Sequence, residues 1–294
     1  MRDMSEIRRN IRSVEETRQV TNAMFLLSTS RMKHAMQQIG HNREYMKRIR
    51  AAVHEILAHM PQDDHPFMRY SKEKDTRPSY LVIAADKGLC GAYNQNLLRF
   101  AKDILAKQKS AETLHICTVG EQATRTLTTA GYQPDVAFTG AAQRPDTYYA
   151  WAMAEHFVRM FRDGAISSFH IIYTHYKNQL TQAPRCLKLL PVEERDFAHA
   201  AALPVQREIC FEPSAQEVFD RVIPQYLVGM IYDCLHHAAC SEQISRMNAM
   251  QSATKNADEM LHRLQLQYNT VRQLAITNEI TEIAAAASLA DNAV

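Results

Sequence analysis

The stretch MSEIRRNIRSVEETRQVTNAMFLLSTSRMKHAMQQIGHNREYMKRIRAAVHEILAHM, residues Met4 to Met60, decides the fold. It contains no proline and a single glycine, Gly40. Alternating steps of three and four residues from Met4 visit 17 positions, of which 13 are apolar. An apolar period of 3.5 residues held over this length predicts a helix that supercoils around a partner helix. At 1.5 Å per residue, such a helix would be roughly 87 Å long.

Four positions of this register are polar, and they are Arg18, Thr21, Ser28 and Asn42.

The C-terminal part of the chain repeats the pattern of the N-terminal part. From residue 225 to residue 289 there is no proline and one glycine, Gly229. The second register runs through Met247, Met250, Thr254, Ala257, Leu261, Leu264, Tyr268, Val271 and Ala275. We therefore predict a second long helix, with a kink or break at Pro224, because proline has no N–H group and clashes with the preceding turn.

Charge indicates that these two helices pair with each other. Residues 1–60 hold 11 Lys or Arg and 6 Asp or Glu, so their balance is 11 − 6 = +5. Residues 213–294 hold 5 and 9, so their balance is 5 − 9 = −4. Opposite charges beside an apolar seam favour antiparallel pairing within one chain. The alternative is two independent solvated helices, although helices of this length are rarely stable alone.

The middle of the chain alternates strand-like and helix-like segments, which is typical of an α/β domain with a largely parallel sheet. The β-prone runs are Ser79–Ala85, Leu114–Val119 and Phe169–Thr174, with an edge strand expected at Leu187–Leu190. Helical patterns lie near residues 94–108, 120–130 and 146–163. The predicted fold class is α+β, with a long antiparallel coiled coil and a small Rossmann-like domain between its helices. The predicted divisions are a helix at 1–60, a linker at 61–78, an α/β domain at 79–212 and a helix at 213–294.

Composition excludes several classes of protein. A net charge of +2 is too small to indicate a nucleic-acid-binding protein. The longest apolar runs fall well short of the roughly 20 residues that a membrane-spanning helix needs, so we expect membrane association only through partners. The six cysteines form no CxxC pair, which favours free thiols in a reducing compartment.

The turn DKGLCG, residues Asp86 to Gly91, is the strongest candidate for a ligand site, because it follows a strand and precedes a helix. It lacks the closely spaced glycines of phosphate-binding loops, which favours a structural turn over nucleotide binding. Cys90 beside Lys87 could be an activated nucleophile or simply a free thiol, and the absence of a recognisable partner histidine favours the free thiol.

A second candidate is the trio His236, His237 and Cys240, which lie within one turn of the C-terminal helix. Such spacing can begin a zinc site, but a structural zinc needs four ligands, so a polar flank of the coiled coil is favoured. We expect no catalytic residue, no cofactor and no metal site.

Three motifs give the chain a family resemblance. They are IRRNIRSVEETRQVTNAM at Ile7–Met24, DKGLCGAYNQN at Asp86–Asn96, and SEQISRMNAMQSATKNADEMLHRLQLQYNTVRQLAITNEITEI at Ser241–Ile283. In this order, with the EP pair at Glu212–Pro213, they resemble the gamma subunit of rotary ATP synthases from end to end. The first and third motifs are highly specific. The chain departs from the family pattern at Asn22, Gln251 and Lys255, and at Ala92, where the family has a second glycine.

The resemblance implies a mechanical role. The paired helices would form the central rotor shaft inside a ring of alpha and beta subunits, and the α/β domain would stand with the epsilon subunit on the ring of c subunits. Ion flow, of protons or sodium, would turn the shaft and drive the beta-subunit sites through their binding states. This chain has no regulatory cysteine insert, and in this respect it resembles the bacterial form of the family. The bacterial form works on the cytoplasmic face of the inner membrane.

The resemblance also implies particular contact residues. Met24, Arg272, Gln273, Thr277 and Glu279 match positions that meet the alpha and beta loops. Ile209 and Phe211 match positions near the membrane ring or epsilon. The alanine-rich end, Ala284 to Ala290, would turn in an apolar sleeve.

Two other classes of function compete with the shaft. A Rossmann-like enzyme with helical arms would need the phosphate loop that DKGLCG does not supply. A static coiled-coil scaffold would be expected to homodimerise, whereas these two helices complement each other within one chain.

Overall fold

The protein's fold is taken from a computed structural model. It describes residues 4–60, 65–68, 77–108, 114–197 and 210–291, with side chains as far as residue 284. Contacts divide the chain into two compact units, Met1–Leu27 with Met247–Val294, and Ser28–Arg246. Two long helices have residues in both units, α1 at Met4–Ala58 and α5 at Ala215–Asp291. The two predicted long helices are thereby confirmed.

The unit Ser28–Arg246 contains a five-stranded sheet in the order β3-β2-β1-β4-β5. Its strands are β1 Pro78–Ile83, β2 His115–Val119, β3 Val136–Phe138, β4 Ser168–Tyr176 and β5 Gln182–Leu190. All neighbouring pairs are parallel except β4 with β5, which is antiparallel. The intervening helices are α2 Tyr93–Leu105, α3 Glu121–Thr129 and α4 Thr147–Arg162, with 3₁₀ turns at Pro66–Met68 and Glu194–Asp196.

Each face of the sheet supports a separate apolar core, because successive residues of a strand point to opposite faces. On one face, Leu81 packs in the cluster that includes Phe157 of α4 and residues of α1 and α5. On the other face, Val82 packs with Leu97 of α2 and Leu127 of α3. The sheet is therefore covered on both sides, as parallel strands with continuous apolar runs require.

The predicted strands and helices of the middle segment are confirmed, with two differences. The edge strand expected at Leu187–Leu190 is longer and begins at Gln182. The short strand β3, Val136–Phe138, was not predicted, because three residues are too few to show an alternating pattern. Most of the predicted linker at 61–78 lies outside the described residues.

A kink or break was predicted at Pro224; the break is wrong, because α5 continues through this residue, and the kink stays a prediction. A proline here leaves the carbonyl of Asp220, one turn earlier, without its helical donor. The Arg162 guanidinium compensates by donating to the Asp220 carbonyl at 3.5 Å and to its Oδ1 at 3.0 Å. Ile223 and Leu227 beside the proline are fully buried in the core, so tertiary packing also holds the helix through this point.

Gly120 offers a test of how tightly β1 packs against the start of α3. Its φ is +90°, and a Cβ here would overlap the Ala84 carbonyl oxygen, whereas Gly131 has nearly the same φ of +89° and open space around it. Gly131→Ala should lower the free energy of unfolding by about 1–2 kcal/mol, because alanine is unfavourable in the left-handed backbone conformation. Gly120→Ala should cost about 1–3 kcal/mol more, because the chain must also relieve the overlap. Urea unfolding of both variants measures the difference, and equal losses would show that the close approach is unimportant.

Candidate functional site

Within the unit Ser28–Arg246, α1 and α5 pack together along an apolar seam. Two hydrogen bonds fix their direction. The Tyr232 hydroxyl donates to Gln38 Oε1 at 3.1 Å, and Asn42 Nδ2 donates to the Gly229 carbonyl at 3.1 Å. Residue numbers rise along α1 as they fall along α5, so the helices are antiparallel. The predicted pairing within one chain is confirmed here.

Gly229 is where α5 allows close approach of α1. A Cβ at this position would overlap the sulfur of Met46 and lie 3.2 Å from the Tyr45 ring. Met46 is buried, and its side chain occupies the space that the missing Cβ leaves. The isolated glycine of the second helix therefore has a packing reason, which outweighs its unfavourable helix propensity.

Asn42 is the central polar group of this seam and is 8% exposed. Its amide also donates to Asp233 Oδ1 at 3.2 Å, and His237 Nε2 lies 3.4 Å from Asp233 Oδ2. Burial opposes ionisation of Asp233, but the hydrogen bonds and charge of His237, with the Asn42 amide, outweigh burial and lower its pKa. A single buried asparagine with specific partners fixes the register of a coiled coil at some cost in stability.

The unit formed by Met1–Leu27 and Met247–Val294 has a seam of the same kind. Its buried apolar residues are Ile7, Met250, Ala257, Leu261 and Leu264. Two of the polar register positions find partners across the seam. Thr254 Oγ1 donates to Thr21 Oγ1 at 2.9 Å, and Arg18 forms an ion pair with Asp258. These pairs again run in opposite directions, so the helices are antiparallel in this unit as well.

The residues predicted to contact the alpha and beta loops lie on the outside of this second unit. Arg272, Gln273, Thr277 and Glu279 are exposed, and Met24 is half-buried. The Thr277 hydroxyl donates to the Gln273 carbonyl at 2.8 Å, so it is satisfied within its own helix. The structure does not bring all five together. Met24 lies near the level of the Thr21–Thr254 pair, and Arg272 lies roughly 27 Å farther along α5.

A neighbouring apolar stripe was missed by the sequence analysis. Ile276, Ile280 and Ile283 are 48%, 61% and 70% exposed, and Leu274 is 49% exposed. The isoleucines are spaced four and three residues apart, so they lie on one face of α5. Exposed apolar side chains in a row mark an interaction surface. The 4-3 spacing could have identified this stripe from the sequence.

The DKGLCG turn is held against α5. Arg246 Nη2 donates to the Gly88 carbonyl at 3.2 Å, and Arg246 Nη1 pairs with Glu242 at 2.6 Å. Asp86 Oδ1 accepts from the backbone N–H of Glu121 at 3.1 Å. A phosphate cradle would present N–H groups to its ligand, whereas this turn presents carbonyl oxygens to a guanidinium. These contacts account for the motif as a structural turn.

The thiols near this turn and on α5 are poor nucleophiles. Burial raises the pKa of Cys90, against the opposing effect of Arg246. Burial likewise raises the pKa of Cys117 and of Cys240 to about 12. A raised pKa leaves little thiolate at neutral pH, which is the opposite of activation.

The histidines considered as metal ligands face different neighbours. His237 stacks on His175 of β4 with ring centroids 4.3 Å apart, whereas His236 packs on Tyr232 at 4.3 Å. Cys240 is buried. In the described ranges, no group of three or more His, Cys, Asp or Glu side chains is arranged to hold a metal ion.

Comparison with known proteins identifies the family. A curated ATP synthase gamma chain from Caldanaerobacter subterraneus is 35% identical over 97% of this chain and 99% of its own length. Another from Ruminiclostridium cellulolyticum is 34% identical over 97% of this chain and 98% of its own length. This chain belongs to the ATP synthase gamma-chain family. A family model described as ATP synthase also matches residues 3–289.

Solved structures share the fold of this gamma-family chain. The central stalk of the Tetrahymena thermophila mitochondrial ATP synthase matches with a TM-score of 0.60 and 24% identity, over 80% of this chain and 99% of that one. A chain from the Euglena gracilis mitochondrial ATP synthase matches with a TM-score of 0.66 and 15% identity, over 97% of this chain and 93% of that one.

Other positions noted in the family comparison have varied surroundings. Phe211 is half-buried and meets the His59 ring edge-on at 5.4 Å, while Ile209 lies outside the described residues. Asn22, Gln251 and Lys255, which depart from the family pattern, are exposed. The α5 backbone continues to Asp291, but the side chains of 285–290 lie outside the described ones.

Over the described residues, no helix is long and apolar enough to cross a membrane.

Replacing Asn42 tests whether its amide pins the seam. Asn42→Leu keeps the bulk but removes the side-chain donor to one Asp233 oxygen and to the Gly229 carbonyl, which keeps only its helical N–H partner. We expect a loss of about 1–3 kcal/mol in the free energy of unfolding, because Gly229 is buried and Asp233 is half-buried. Gln38→Leu is the control, since it removes one hydrogen bond at a half-buried position and should cost less. A larger loss in the control, measured by urea unfolding, would contradict the assignment.

The His175 imidazole predicts acid sensitivity of the same unit. Burial, with the nearby His237 and Arg185, lowers the pKa of His175 from 6.5 to about 4, against the opposing charge of Asp233. Between these values the unfolded chain binds more protons than the folded chain, so stability falls as pH falls from about 6.5 to about 4. His175→Gln should flatten this slope, and His41→Gln, at an exposed site, should not. Identical slopes for both variants would refute the prediction; thermal unfolding at several pH values measures them.

Proposed function

We propose that this gamma chain is the central rotor shaft of a membrane ATP synthase, which couples ion flow through a membrane ring to ATP synthesis or hydrolysis at beta-subunit sites. The observation that carries the proposal is the C-terminal part of α5. Val271 and Ala275 are the last half-buried positions of its seam register, and the following residues 276–284 are all exposed. A helix end that exposes isoleucines in the described part of the chain is suited to a surrounding partner.

The apolar stripe supports insertion of this helix end into a sleeve formed by other subunits. Ile276, Ile280 and Ile283 would be removed from water there, which is worth roughly 1.5–3 kcal/mol for each fully buried side chain. A static homodimeric scaffold has less support, because the seam that would mediate dimerisation is already filled within one chain.

The polar residues beside the stripe supply specificity in this proposal. Arg272, Gln273, Thr277 and Glu279 would meet loops of beta and alpha, and Met24 would make a separate contact nearer the middle of the paired helices. Groups that are desolvated inside a ring must form hydrogen bonds or lose on the order of 1–3 kcal/mol each. Their contacts would therefore differ between ring positions as the shaft turns.

Rotation would act on the catalytic sites through these differing contacts. A rigid body that binds one conformation of a neighbouring site better than another shifts that site's equilibrium by the difference in binding free energy. The paired helices suit this role because buried polar pairs hold their register. The chain contributes no catalytic residue in this scheme, and the reaction takes place on its partners.

The remaining assignments follow from the family. We propose that residues 1–60 and 213–294 form the shaft and that 61–78 form a linker. Residues 79–212 would form the α/β domain at the membrane end of the shaft, which we call the foot. The foot would contact the epsilon subunit and the c-subunit ring, with Ile209 and Phe211 near that contact. The solved relatives come from assemblies that include a c-ring and, in the Euglena gracilis complex, F1 and OSCP. The chain would work peripherally on the cytoplasmic face of a bacterial inner membrane.

The double variant Arg272→Ala with Gln273→Ala tests the contact face. We expect ATP synthesis by membrane vesicles to fall roughly tenfold or more, since each 1.4 kcal/mol lost corresponds to a factor of ten. Circular dichroism of the free chain should be unchanged, because both side chains are exposed and alanine favours helix.

The matched control is Arg263→Ala with Gln265→Ala, which changes an exposed pair earlier in the same helix. It should retain synthesis close to that of the unchanged protein. Full synthesis by the Arg272 and Gln273 variant would show that this face is only solvated surface, and the contact assignment would then be wrong.

A further inference from the structure

A small pocket lies in the unit Ser28–Arg246. It has a volume of about 240 Å³ and is formed by three separate segments. Helix α1 contributes Arg31 and His34, the turn before α4 contributes Arg144, and α5 contributes His236 and Gln243. None of the residues that line it is acidic.

His236 is the buried member of the pocket and the strongest indication of a ligand. It is 2% exposed, yet neither Nδ1 nor Nε2 has a hydrogen-bond partner among the described residues. An imidazole always carries at least one N–H, and a buried donor without an acceptor is unfavourable. Burial, with the charge of His34, lowers the pKa of His236 to about 4, so the ring is neutral at pH 7 and offers one N–H.

The nearby carboxylates are engaged elsewhere. Asp233 lies beside His237 Nε2 at 3.4 Å, and Asp146 Oδ1 accepts the Tyr149 N–H at the start of α4. Glu242 pairs with Arg246 at 2.6 Å, and burial raises its pKa even though Arg246 and Arg31 oppose this. Across the described parts of the chain, neither Arg31 nor Arg144 forms an ion pair with a carboxylate. The lining of the pocket itself therefore carries two guanidinium groups and no carboxylate.

The backbone of the segment that carries Arg144 is held by hydrogen bonds. The N–H groups of Gln143 and Arg144 both donate to the Gly140 carbonyl at 3.2 Å, which closes a turn. Ala141 within that turn is fully buried in the core. The Arg144 side chain is exposed, but it extends from a hydrogen-bonded turn, and a turn that is already formed loses less backbone entropy when a ligand binds.

We propose that this pocket binds a small oxyanion of the phosphate class, held by the Arg31 and Arg144 guanidinium groups and by the His236 N–H. Guanidinium groups bind such oxygens in pairs, and the buried imidazole supplies a third donor from the protein side. The volume lies below the roughly 300–1,000 Å³ of pockets that enclose drug-sized ligands, which favours a free ion over a whole nucleotide. Bound there, the ion would tie α1, α5 and the turn before α4 together.

The test uses calorimetry of the full-length chain with inorganic phosphate at low ionic strength, and the same titration with ADP. We expect saturable binding of one phosphate per chain. Arg31→Gln with Arg144→Gln should weaken it at least tenfold, and His236→Phe should weaken it several-fold. Arg125→Gln is the control and should leave binding unchanged, because Arg125 on α3 is exposed like Arg31 and Arg144 but does not line the pocket.

The outcomes separate the sources of the anion. Weaker binding of ADP than of phosphate would identify the free ion, and tighter binding of ADP that is lost in the same arginine variant would identify a nucleotide phosphate. The proposal is overturned if the unchanged chain does not bind phosphate, or if the Arg31 and Arg144 variant binds it as well as the Arg125 control does. Neither result bears on the shaft assignment, which rests on a different surface.

Discussion

The antiparallel contact between α1 and α5 is the constraint on which the rest of the structure depends. It is apolar along most of its length, and apolar contacts alone tolerate slippage by one turn. Asn42 removes that freedom in one unit, because its amide has partners only opposite Gly229 and Asp233. Thr21 and Arg18 do the same in the other unit through Thr254 and Asp258. Register is therefore set by a few polar groups within a largely apolar seam.

The sheet is joined to this helix pair by a second set of polar contacts. Arg246 connects α5 to the carbonyl of Gly88 after β1, and the Ser241 hydroxyl donates to the Thr174 carbonyl of β4 at 3.2 Å. The core on that face combines side chains of α1, α4, α5 and the sheet. A twist applied to α5 in this unit would thus be carried into the sheet through both hydrogen bonds and packing.

Most of the fold could be predicted from the sequence because its signals are long and periodic. The 3.5-residue register predicts the seam and contains Asn42 as a polar position, but the burial of Asn42 is known only from the structure. The outcome at Pro224 could not be predicted, because the compensating donor, Arg162, is 58 residues from Asp220 in the chain. The pocket around His236 could not be predicted for the same reason, since its arginines come from distant segments. The contact face was predicted by resemblance, whereas the isoleucine stripe beside it follows from spacing alone.

The edges of the sheet have a consequence for the chain before it meets any partner. One edge is β3, which is only three residues long, and the other is β5, which contains Pro184, Arg185 and Lys188. A proline cannot donate to a further strand, and charged side chains on an edge disfavour stacking against another sheet. Neither edge is a good template for a strand from a second copy. Before it assembles with partners, the newly made chain therefore has little tendency to aggregate through strand pairing at the edges of its sheet.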